Sequence, residues 1–103
     1  LLELCKGTIR EQRLRHEDVG IARVTLEALR GGDAQENARI AREALSGGSS
    51  APREIVAFNA GCAIYAADRA ETIHEGVGKA TAALAFGRAR ELLDCVIELS
   101  NRP

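Results

Sequence analysis

Between Ile55 and Ala67 the chain runs Ile-Val-Ala-Phe-Asn-Ala-Gly-Cys-Ala-Ile-Tyr-Ala-Ala, a helical stretch that is apolar on nearly every side. A helix with no polar face has to be covered from several directions. That requirement constrains the fold more than any other feature, because the rest of the chain offers few elements to do the covering. With 103 residues, the chain fits one small domain or one part of a larger one. Its stability margin is thin at that size. Aromatic residues are only 3% of the chain and alanine supplies 18 positions, so packing has to rest on small side chains and close helix–helix approach.

The elements around this helix are readable from their punctuation. Residues 1–14 suggest a β-hairpin, with Leu1–Leu4 and Thr8–Leu14 flanking Cys5-Lys6-Gly7, where Gly7 can supply a positive φ. The alternation is imperfect, since Ile9 and Leu14 differ in parity. Residues 15–32 form a connector with a short helical turn near Leu26–Leu29, and residues 33–103 hold the helices. Asp33 and Glu36 form a capping-box variant at the start of a helix over Ala34–Leu45. On that helix Ala34, Ala38, Ala41 and Leu45 share one face, and Arg39 and Glu43 can pair one turn apart.

Pro52 suits the first turn of the apolar helix. Thr72-Ile73-His74-Glu75 is a second capping box, and behind it Ile73, Val77, Ala80 and Leu84 repeat at helical spacing. Gly87 interrupts that run, and a last helix over Arg88–Leu99 carries Ala89, Leu92, Leu93 and Val96 inward. The expected fold is therefore mainly α: a short hairpin followed by about four helices.

Composition excludes several classes of function. The net charge is −1 with both signs interspersed, so the basic patch that a nucleic-acid backbone requires is missing. No apolar run approaches the roughly 20 residues of a membrane span, and no signal pattern precedes the first strand. Cys5, Cys62 and Cys95 are widely spaced and lie at no metal-ligand spacing from His16 or His74. They read as buried or half-buried free thiols of a reducing compartment.

Few residues invite a chemical reading. Gly31-Gly32-Asp33 opens a helix and could present backbone N–H groups to a phosphate. Asp33 and Glu36, however, put carboxylates where the anion would sit, and they are better read as caps and dipole partners. The lysine of a Walker-type loop is also missing. Asn59, alone in the apolar helix, needs hydrogen-bond partners and is expected to tie to a neighbouring loop. Tyr65 has room to aim its hydroxyl outward. His16 and His74 read as solvated, and the adjacent Glu17 and Asp18 do not converge on one atom. No nucleophile–base arrangement can be defended.

Four stretches, in order, carry a resemblance. They are Glu3-Leu4-Cys5-Lys6-Gly7-Thr8-Ile9-Arg10-Glu11; Glu17-Asp18-Val19-Gly20-Ile21; Arg30-Gly31-Gly32-Asp33-Ala34-Gln35-Glu36-Asn37-Ala38; and Arg53–Tyr65 followed by Glu75-Gly76-Val77 and Gly87. Together they resemble the C-terminal third of anthranilate phosphoribosyltransferases across almost the whole chain. The departures are His16 where a proline is usual, Gln12 where an aromatic is common, and Asp68 where the helix commonly ends in glycine.

The resemblance implies an α/β parent fold of the nucleoside phosphorylase/phosphoribosyltransferase kind, with this chain as the C-terminal segment of its catalytic domain. It implies transfer of phosphoribose from phosphoribosyl pyrophosphate (PRPP) to anthranilate in tryptophan biosynthesis, in a cytoplasmic homodimer. Magnesium would be held by residues outside this chain. The family's Gly-Thr-Gly-Gly-Asp loop, Asn-x-Ser-Thr segment, Lys-His-Gly-Asn stretch, anthranilate-contacting arginine and Asp-Glu metal pair all lie upstream of the matched part. No catalytic, cofactor-binding or metal-binding residue is therefore assigned here, and the chain alone is expected to be inactive. Opening directly on a strand at Leu1 gives the same expectation of missing upstream partners. The competing readings are a free-standing helical interaction module and a non-transferase relative of the same fold.

Overall fold

The computed structural model describes all of residues 1–103. A two-stranded antiparallel hairpin, β1 (Leu2–Cys5) and β2 (Thr8–Glu11), leads into four helices: α1 (Ala34–Ala44), α2 (Ala51–Ala66), α3 (Ile73–Ala85) and α4 (Arg88–Ser100). Cys5 pairs with Thr8, so the turn is the two-residue Lys6-Gly7, and both residues have positive φ, 49° and 79°. A turn of that kind matches the twist of the flanking strands. β2 is shorter than expected. Past Gln12, whose N–H still reaches the Leu1 carbonyl at 3.0 Å, it has no partner strand, and Leu14 turns in to pack against the core instead.

The connector carries two short 3-10 turns, an unexpected one at His16–Val19 and the expected one at Glu27–Leu29. Asp18 Oδ2 accepts from the Arg15 N–H at 2.9 Å, and Gly20 takes a left-handed conformation. His16 is half-buried rather than solvated, with Nδ1 2.9 Å from the Ile21 carbonyl oxygen. This fold of the connector drives Val19 and Ile21 into the core beside Ala57, Ile73, Val77 and Leu84. Glu54 of α2 accepts from the Ala22 N–H at 3.0 Å and stitches the connector down.

Caps set two helix starts as the sequence suggests: Asp33 accepts from the Glu36 N–H and Thr72 from the Glu75 N–H. Ser50, not expected as a cap, accepts from the Arg53 N–H at the start of α2. The reciprocal arms differ. Glu36 turns away from the cap to Arg39, and Glu75 reaches the Glu71 N–H at 3.1 Å. Arg39 pairs with Glu43 at 2.6 Å, as expected. On α1 the packed side is not the alanine face: Ala34, Ala38 and Ala41 are exposed, while Ala44 is buried and Ile40 and Leu45 are half-buried. Ala44 is the one residue of α1 that is buried, and Leu45, expected on the packed face, does pack against the core.

The α2–α3 pair is the centre of the fold. Arg53, Ala57 and Gly61 of α2 are buried, as are Ile73, Gly76, Val77, Ala80 and Leu84 of α3. The helices cross at Gly61 and Gly76. A Cβ on Gly76 would stand 2.3 Å from the Gly61 carbonyl oxygen, and one on Gly61 would stand 2.5 Å from the Val77 backbone nitrogen. Neither position has room for a methyl group.

Cover is incomplete elsewhere. Val56, Asn59 and Ala63 leave one side of α2 open, so Asn59 is exposed and donates to the Ile55 carbonyl of its own helix at 3.1 Å. It ties to no neighbouring loop. α4 buries no residue; Leu92 and Val96, expected inward, are 65% and 52% exposed, and Ala89 and Leu93 are half-buried. Cys5 and Cys95 are likewise exposed, because the elements that carry them lack a covering layer; Cys62 is half-buried. The accessible surface is 7857 Å², against about 5,600 Å² for a folded monomer of this mass. The radius of gyration is 15.5 Å, against about 13 Å for a domain of this length.

Candidate functional site

The largest concavity is an open cleft of about 1090 Å³ between the hairpin and the ends of α2 and α3. β1 forms one wall. Cys62, Tyr65 and Ala66 of α2, the 68–71 loop, and Ile73, Glu75 and Lys79 of α3 form the other. The loop enters with Asp68 at φ 58°, the left-handed region in which glycine sits without a Cβ penalty.

Four polar side chains of the cleft, Glu3, Tyr65, Glu75 and Lys79, are engaged with neighbouring groups. Lys79 Nζ donates to the Arg69 carbonyl and lies 3.4 Å from the Glu75 carboxylate. The Glu71 N–H and then Lys79 hold the Glu75 carboxyl below its ordinary range. The Tyr65 hydroxyl donates to Glu3 Oε1 at 2.5 Å, and that carboxylate pushes the phenol pKa up. The phenol therefore keeps its proton, and Tyr65 serves as a tie between elements. No histidine lines the cleft to activate Cys5 or Cys62.

The Gly31-Gly32-Asp33 turn is filled by its own helix. Asn37 clamps Gly32 on both sides, with Oδ1 accepting from the Gly32 N–H at 2.8 Å and Nδ2 donating to the Gly32 carbonyl at 3.0 Å. Two of the N–H groups at this helix start, those of Gly32 and Glu36, are thus bonded to Asn37 and Asp33, and the Asp33 carboxylate occupies the place of an anion. Arg53, buried to 8% exposure, donates from Nη1 to the Ala44 carbonyl at 3.3 Å and closes the C-terminus of α1.

Glu17 and Asp18 do not converge, since Asp18 serves the Arg15 N–H, and His74 is exposed in the first turn of α3. No group of three or more His, Cys, Asp or Glu side chains is placed to hold a metal ion. Four features are not marked in the sequence reading: the Asn37 clamp, the Arg53 closure, the Glu3–Tyr65 tie and the Gly61–Gly76 crossing. Glycines inside two helical runs are the one available signal, for the last of these.

Comparison with known proteins adds a family. A family model described as "Glycosyl transferase family, a/b domain" matches residues 1–90. The chain is 42% identical over 99 residues to a Mesorhizobium japonicum protein named anthranilate phosphoribosyltransferase, covering 96% of this chain and 30% of that protein. Proteins of the same name from Symbiobacterium thermophilum and Cupriavidus metallidurans are 40% and 44% identical, each over 97% of this chain and 29% of their own length. The chain thus spans somewhat under a third of the relatives it matches. No solved structure matches it significantly.

Proposed function

The chain belongs to the glycosyl transferase family, a/b domain, and from that membership we propose that it is the trailing part of the catalytic domain of an anthranilate phosphoribosyltransferase. The reaction joins the anthranilate amine nitrogen to the ribose C1 of PRPP. Pyrophosphate leaves with the C1–O electron pair, and the amine gives up a proton. The observation that carries the reading is identity of 40–44% spread along 96–97% of the chain, not confined to one motif.

In this reading the chain completes the α/β fold and supplies no reacting group. Its polar side chains close turns and cap helices, as at Asp33, Asn37 and Lys79. In this reading magnesium would be held by residues outside this chain, whose own acids form no cluster placed to hold the ion. The partners are then the remainder of the same polypeptide and, through it, a second subunit of a cytoplasmic dimer. No helix is long and apolar enough to cross a membrane.

The test is a graft. Residues 1–103 replace the matched segment of the Mesorhizobium japonicum protein, and loss of anthranilate fluorescence with PRPP is followed. The graft is expected to turn over and the isolated chain to be inert. Turnover by the isolated chain, or a folded graft without activity, overturns the proposal. A second reading, a helical interaction module, draws on the apolar stripe of Phe86, Leu92, Val96 and Leu99 left exposed on and beside α4. A stable monomeric chain that melts sharply on its own would favour it.

A further inference from the structure

We draw no further inference here: the strongest candidate, the apolar surface patch of Phe86, Leu92, Val96 and Leu99 on and beside α4, carries nothing, because nothing in the structure shows what covers it.

Discussion

α3 and α4 are each 13 residues long and each carries an apolar stripe, yet α3 buries five residues and α4 buries none. The difference lies in the partner, not in the stripe. α3 meets α2 through glycines that bring the backbones together, which places Ile73, Val77 and Leu84 against Val19, Ile21 and Ala57. α4 is set off by the left-handed Gly87 and meets α1 through one exposed ion pair, Arg42–Asp94 at 3.3 Å. An exposed pair of that kind is worth little. An apolar face is a demand for cover, and in this chain only one of the two demands is met.

The largest effect is expected at the met demand. Leu84→Ala empties a site in the α2–α3 core and should cost about 2–5 kcal/mol, read as the shift of a urea unfolding curve. A cost under about 1 kcal/mol would mean that α3 is no better packed than α4. Next comes Gly76→Ala. Its Cβ meets a carbonyl oxygen that cannot rotate away, so a cost at or above about 1–3 kcal/mol is expected, with the helices forced apart.

Thr72→Ala should cost about 1 kcal/mol by freeing the Glu75 N–H. Acid should weaken the same end of α3. Glu75 titrates below its ordinary value of 4.5 in the fold, so its contribution is present above that pH and is lost as pH falls through the lower folded value. Helicity followed from pH 6 to pH 3 should therefore drop below pH 4.5, and a flat trace would remove Glu75 from the cap. Asp68→Gly relieves a left-handed residue and should stabilise by about 0.5–1 kcal/mol; a loss would show that the Asp68 side chain matters more than its backbone. The smallest effect belongs to the unmet demand: Leu92→Ala should stay within about 0.5 kcal/mol in this chain. In the grafted enzyme the same change should cost several times more if the remaining polypeptide covers α4.

Much of the fold was legible in the chain because helix ends announce themselves. Asp33, Pro52, Thr72 and Gly87 stand at the boundaries for reasons of hydrogen bonding and φ, which are local. Periodicity identified the inward residues of α3 correctly, from Ile73 to Leu84. The same argument failed at Leu92 and Val96, because a repeat shows which face is apolar and not whether anything lies against it. On α1 it held for Leu45 and failed for Ala34, Ala38 and Ala41, which are exposed while Ala44 is buried. The concave surface was the least legible part. Glu3 and Tyr65 lie 62 residues apart, and nothing local in either stretch marks the contact. Family membership confirmed the resemblance drawn from the ordered motifs.

The crossing of two glycines has a consequence for how such a sequence can vary over time. A replacement at position 61 runs into the backbone of Val77, and one at position 76 runs into the carbonyl of Gly61. Neither site has a tolerated intermediate, so no single exchange, nor two taken in either order, leads to a looser crossing. Drift is expected to accumulate at exposed polar positions such as those of α1, and to leave this one contact as an inherited fixed point.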